Sequence, residues 1–192
     1  MMKPICRFID FETGKIGSKA KITKRYLSDL EGVFRDIDAL RSMFNRDILV
    51  YEVHEIVVPE RAGEITHGTS IIYPGKVGDE YFMTKGHFHV RAGGEVYLCL
   101  KGEGYILMEE KGGRSSYSKM IPGSLVYVPP LWAHRTINTG TKEFTCFYAF
   151  PSEVGHDYET IEKKGFSKLF LERDGKPVIE NAHRDHQDSF LG

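Results

Sequence analysis

Four side chains in this 192-residue sequence have the types and spacing to hold one metal ion. His87 and His89 stand two residues apart in KGHFHVRAGGEVYLCLKGEG, residues 85–104, and Glu95 follows a Gly-Gly pair in the same stretch. The fourth, His134, lies far downstream in VPPLWAHRTIN, residues 128–138. In an extended strand alternate side chains share a face, so His87 and His89 point the same way. Two imidazoles and a carboxylate converging on a point bind a divalent cation and leave coordination positions open. No cysteine lies in the motif, which argues against a closed structural zinc site.

Those residues need a scaffold of strands, and the chain supplies one. From Ile48 onward, LVYEVHEIVV, EVYLCLKG, GYILMEE, YSKMI, SLVYVPP, HRTINTG and EFTCFYAF are short β-branched and aromatic runs separated by Gly, Pro and polar turns. That texture predicts a mainly β, jelly-roll-like barrel. Ahead of it, residues 1–26 read as an arm with one strand near Ile5–Phe11. Leu27, Leu30, Val33, Phe34, Ile37, Leu40, Met43 and Phe44 recur at spacings of three and four. This predicts an amphipathic helix, with Ser28 and Glu31 as a capping box and Gly32 as its weak point. The expected division is an arm and helix over 1–47, a barrel over 48–172 and a tail over 173–192. Within that tail segment the stretch after Asn181 is expected to fray. A short helix over Tyr158–Gly165 and a last strand over Lys168–Glu172 are expected beyond the barrel core.

Composition bounds the function. With 26 Lys+Arg against 27 Asp+Glu, there is no general electrostatic attraction to nucleic acid or to a membrane. The N-terminus has no signal-peptide pattern, and no stretch is apolar enough to span a bilayer, so a soluble cytoplasmic protein is expected. Three cysteines at wide spacing make neither a disulfide framework nor a zinc ribbon; Cys99 and Cys146 read as buried, reduced core residues. His54, His67, His183 and His186 lack partners at metal spacing and read as surface residues. Trp132 reads as a packing anchor, and Lys85 as a solvated or salt-bridged lysine. EVYLCLK is apolar on both faces, one carrying Val96, Leu98 and Leu100 and the other Tyr97 and Cys99 beside Glu95, which suggests a dimer.

The spacing of the metal residues resembles the cupins. Their first motif appears as His87-Phe88-His89, five residues, Glu95, six residues, Gly102. Their second appears as Gly123, five residues, Pro129-Pro130-Leu131, then His134 and Asn138. The spacer before Glu95 is one residue longer than usual, with Gly93-Gly94 able to absorb it, and Leu131 stands where glycine is common. Further segments sharpen the likeness: DFETG (10–14), LSDLEG (27–32), YPGKVG (73–78), TKGHFH (84–89), PPLWAHRT (129–136) and GHDYETIEKKGFSK (155–168). Together these resemble the cupin-type phosphoglucose isomerases of archaea and some bacteria, over roughly residues 9–172.

The resemblance implies a homodimer that interconverts glucose 6-phosphate and fructose 6-phosphate with one divalent transition metal per subunit, iron first among Fe, Mn, Ni, Co and Zn. It implies metal ligation by His87, His89, Glu95 and His134, and substrate contacts at Ser70, Thr84, Gly86, Tyr97, His156 and Tyr158. On this reading Glu95 carries a proton between C2 and C1 through a cis-enediol, or only positions substrate during a hydride shift. His156 opens the sugar ring or holds a hydroxyl. Phe150 stands where relatives can have tyrosine, which leaves that hydroxyl contact to Tyr148 or to water. The same ligand set on the same fold could instead serve a dioxygenase, a sugar epimerase or a non-catalytic sugar-binding module.

Overall fold

A computed structural model describes residues 3–182. Two antiparallel sheets face each other across a shared apolar core, and this is the mainly β barrel that the strand texture predicts. The larger sheet runs in the order Lys21–Tyr26, Leu49–Ile56, Ile65–Ile72, Phe144–Pro151, Glu95–Lys101, Leu125–Val128. Opposite it, the strand Trp132–Asn138 pairs with Gly104–Glu110, which pairs with Ser115–Met120. The segment leading into His87 is tied to this second sheet by bridges between Met83 and Ile137 and between His87 and His134. Glu95 of the large sheet can therefore meet His134 of the small one across the lumen.

Alternation along the strands sorts residues between lumen and exterior. On Glu95–Lys101, the side chains of Glu95, Tyr97 and Cys99 are buried, while Val96, Leu98 and Leu100 are half-buried. Cys99 lies directly opposite Cys146 on the neighbouring strand, and both are buried free thiols, as expected; Cys6 is exposed. Trp132 is half-buried against the core.

The N-terminal part departs from expectation. No strand forms near Ile5–Phe11; there is only an isolated bridge between Ile9 and Ile16. The Asp10 carboxylate accepts from the Glu12 and Thr13 amides and turns the chain back before a strand can extend. A strand forms instead at Lys21–Tyr26, an edge strand rich in Lys and Arg, the kind of sequence that guards an open edge. The expected helix is broken into the single turns Leu27–Leu30 and Phe44–Arg46 around the short α-helix Ile37–Ser42. Gly32, at φ +81°, interrupts it, and Asp36 caps the second piece by accepting from the Ala39 amide. The apolar periodicity still reports burial: Leu27, Leu30, Phe34 and Leu40 are all in the core. Ser28 and Glu31 form no capping box; Asp29 accepts from the Tyr26 amide, and Glu31 pairs with Arg41.

His54 is also corrected: it is 2 % exposed rather than on the surface. The arm lies over its face of the sheet, with the Gly14 carbonyl accepting from Thr69 and Lys15 placed 3.8 Å from Glu52, beside which His54 sits. His67 is half-buried against Phe147, whereas His183 and His186 lie outside the described residues. Toward the C-terminus, helix Glu159–Lys164 and strand Lys168–Arg173 form as expected. Pairing continues through a further strand, Lys176–Asn181, inside the stretch expected as tail. The expected fraying after Asn181 falls almost wholly outside the described residues. No helix among the described residues is long and apolar enough to cross a membrane.

Candidate metal centre and substrate cavity

The four residues singled out by spacing converge. One ligand atom from each of His87, His89, Glu95 and His134 lies within 4.8 Å of the others. Glu95 Oε2 is 2.9 Å from His134 Nε2 and 3.2 Å from His89 Nε2. Neither these three atoms nor His87 Nε2 finds an aligned hydrogen bond, although all are buried. Four buried, unsatisfied donor atoms aimed at one point are costly unless something binds there. Three imidazole nitrogens and a carboxylate suit a divalent transition metal, so the donor set fits one.

The surrounding backbone orients the ligands. The Gly93 carbonyl, which can only accept, lies 2.9 Å from His89 Nδ1, and the Trp132 carbonyl lies 3.3 Å from His134 Nδ1. Each contact puts the proton on Nδ1 and leaves Nε2 with its lone pair toward the centre. Gly93 and Gly94 matter for close approach rather than for a bulge: a Cβ would fall 2.3 Å from Val154 at the first and 2.6 Å from the Tyr127 ring at the second. Just before His87, Gly86 at φ +77° passes so close to the next strand that a Cβ would sit 2.9 Å from the His134 carbonyl. Leu131, where a glycine is common in the motif, keeps a left-handed φ of +68° at an exposed turn.

Electrostatics follow from burial and mutual proximity. Burial alone would raise the Glu95 carboxyl, but the field and close approach of His134, then those of His89 and His87, outweigh it and hold the group well below its usual range. Burial drives His87 well below the ordinary imidazole range, assisted by His134 and His156, and keeps it neutral, the state a ligand needs. Burial and the Glu95 charge push the Tyr97 phenol well up. Tyr97 therefore stays protonated, on the same strand face as Glu95.

The centre opens onto a deep chamber of about 110 Å³, and this widens into an outer one of about 440 Å³. Ser70, Thr84, Gly86, Tyr97, His156 and Tyr158, all expected at the site, line the deep chamber beside His87, Glu95 and His134. Ser70 is buried with an unpartnered hydroxyl, and the Thr84 hydroxyl accepts from the Thr136 amide at 3.0 Å. His156 stands at the mouth, edge-on to His87 at 4.3 Å and stacked on Tyr158 at 5.7 Å between ring centroids. Desolvation pushes His156 down against the pull of Glu95, and pushes the Tyr158 phenol up to about 12. Lys85 is salt-bridged to Glu162, as expected, and lies over the Tyr158 ring.

Several lining residues were not expected: Lys21, Arg25, Tyr51, Val53 and Glu55; Tyr148, the candidate to replace the hydroxyl missing at Phe150, lines the deep chamber as well. The first five project from one face of two neighbouring strands in register, Lys21 opposite Glu55 and Arg25 opposite Tyr51. Alternation within Leu49–Ile56 groups Tyr51, Val53 and Glu55, pairing with Ile65–Ile72 sets Val53 opposite the chamber-lining Ser70, and the unexpected Lys21–Tyr26 strand adds Lys21 and Arg25 to the same face. Behind the site, the buried Arg135 donates to the Lys85 carbonyl at 2.5 Å and lies over the Phe166 ring at 4.3 Å. It thereby anchors the loop that carries Thr84 and Gly86.

Comparison with known proteins places the chain in a family. The family model described as Glucose-6-phosphate isomerase (GPI) matches residues 24–187. The chain belongs to that family. A glucose-6-phosphate isomerase of Thermococcus litoralis is 48% identical over 175 residues, covering 90% of this chain and 92% of the relative. One from Pyrococcus furiosus is 45% identical over 176 residues, covering 90% and 93%, and one from Sinorhizobium medicae is 34% identical over 180 residues, covering 92% and 84%. Among solved structures, an oxalate decarboxylase of Lactobacillus farciminis aligns with a TM-score of 0.47 at 18% identity, covering 56% of this chain and 30% of that one. That likeness is too loose to bear on function, whereas family membership rests on nearly the whole chain.

Proposed function

We propose that this protein is a metal-dependent aldose–ketose isomerase that interconverts glucose 6-phosphate and fructose 6-phosphate, in the cytoplasm and in the service of glycolysis and gluconeogenesis. The observation that carries the reading is the four-atom cluster at one end of a cavity whose outer chamber sets Lys21, Arg25 and Lys85 among the carboxylates Glu55, Glu60 and Glu162. A sugar phosphate has the matching polarity, with its carbonyl end inward and its phosphate outward.

His87, His89, Glu95 and His134 would hold one divalent ion, iron first among Fe, Mn, Ni, Co and Zn, since the donors are nitrogen and oxygen without thiolate. When bound, the ion supplies Lewis acidity toward the carbonyl and the neighbouring hydroxyl, and so makes the C2 proton labile. Glu95 is the base that moves this proton between C2 and C1 by way of a cis-enediol, and the Tyr97 hydroxyl, on the same strand face, meets a sugar oxygen. His156, kept neutral at the mouth, accepts and returns the proton of ring opening. Ser70 offers its unpartnered hydroxyl to a sugar oxygen. Tyr158 and the Thr84–Gly86 loop meet the phosphate together with the three cations.

A second copy of the chain completes the proposal. On the outer face of the large sheet, Leu125 and Tyr127 are 70% and 60% exposed, opposite the half-buried Leu98 and Val96. A homodimer would cover this apolar strip.

The test is a coupled assay of fructose 6-phosphate to glucose 6-phosphate after chelation and after return of single metals. Chelation is expected to abolish turnover and one or more of the five metals to restore it. Failure of every metal to restore it, or oxygen uptake in place of isomerisation, would sink the reading.

A further inference from the structure

One row of the large sheet runs from the cavity mouth to the metal end and contains a pair, Glu55 and Tyr148, that the proposed reaction leaves unused. Register sets Lys21 opposite Glu55, Glu55 opposite Gly68, Gly68 opposite Tyr148, and Tyr148 opposite Tyr97. The row thus reads cation, carboxylate, gap, phenol, phenol along one face of the lumen. The gap is required. A Cβ at Gly68 would lie 2.8 Å from the Tyr148 hydroxyl and 2.2 Å from the His54 carbonyl. With no side chain there, the Tyr148 hydroxyl reaches Glu55 Oε2 at 3.4 Å, a long contact that a bound hydroxyl can enter.

We propose that Glu55 and Tyr148 form a second polar clamp, which receives the hydroxyls on the middle carbons of the open-chain sugar. The inference rests on the isomerase reading above. With the carbonyl end at the metal centre and the phosphate among the mouth cations, C3 and C4 pass along this row. Glu55 lines both chambers, so it stands where the two ends of such a substrate are joined. Its carboxylate accepts from one hydroxyl. Tyr148, stacked on Phe150 with 5.9 Å between ring centroids, presents its phenol to the next. Phe150 has no hydroxyl to offer, and Tyr148 supplies one from the adjacent inward position of the same strand. Burial first, and then the Glu55 charge, keep the phenol protonated at neutral pH. Acceptor beside donor selects a polyhydroxyl chain over a deoxy one.

The experiment compares wild type, Glu55→Gln and Tyr148→Phe, all loaded with the activating metal, on glucose 6-phosphate and on its 3-deoxy and 4-deoxy analogues. Both substitutions nearly preserve shape, and metal content and melting temperature are measured alongside. Loss of a hydrogen bond to a charged group is expected to lower kcat/KM for Glu55→Gln on glucose 6-phosphate about 10- to 100-fold. On the deoxy analogue that lacks the partner hydroxyl, the same substitution should cost less than about threefold, because the contact is already gone. Equal losses on all three substrates, or no loss on glucose 6-phosphate, overturn the clamp while leaving the isomerase reading standing. A wild-type chain inactive with every metal overturns both.

Discussion

Replacing His134 with alanine is expected to remove the bound metal and to lower isomerase turnover at least about a hundredfold, since changes to the mere orienters of metal ligands already cost 10- to 100-fold. His134 is the stringent choice because it comes from the opposite sheet. Its backbone bridges His87, and its Nε2 lies 2.9 Å from Glu95 Oε2, so it joins the two halves of the centre. Glu95→Gln should be equally damaging for a different reason: the side-chain shape remains, but the charge facing three imidazoles and the proton carrier are both lost. Metal content by mass spectrometry together with the coupled assay separates the two defects. A His134→Ala chain that keeps one ion and full turnover would contradict the ligand set.

The second large effect concerns stability. Without an ion the cluster consists of buried atoms that lack aligned hydrogen bonds. An ion that binds only the folded chain stabilises it by mass action, by about 4 kcal/mol when free metal exceeds the dissociation constant a thousandfold. For a chain of this length each kcal/mol is worth about 2–4 °C, so adding metal to chelated protein should raise the melting temperature by about 8–16 °C. His89→Ala should abolish that shift. An equal shift in His89→Ala would mean that the metal acts elsewhere on the protein. The Gly93 and Trp132 carbonyls fix the rings of His89 and His134 and so orient the atoms that the ion would meet.

The centre was legible because each half of it is local. His87, His89 and Glu95 lie within one short stretch of sequence and His134 within one turn and strand, and the likeness to the two cupin motifs joins the halves. The barrel was legible because turn residues punctuate its strands. The helix over 27–44 was misread because periodicity reports which residues are buried, not whether the backbone between them is continuous. Leu27, Leu30, Phe34 and Leu40 all reach the core although Gly32 breaks the turns. His54 was misplaced because the arm that covers its strand has no apolar pattern of its own. Glu55 and Arg25 escaped notice for a related reason. Their place in the cavity depends on strand register, and register across Lys21–Tyr26, Leu49–Ile56 and Phe144–Pro151 is long-range information that no local spacing carries.

Location of the ion by anomalous diffraction from crystals grown with the activating metal tests the central claim most directly. A single peak is expected within about 2.0–2.3 Å of Nε2 of His87, His89 and His134 and of a Glu95 oxygen, with open positions toward the chamber that Ser70 and Tyr97 line. An active protein whose crystals carry the ion elsewhere, or carry none, would contradict the account.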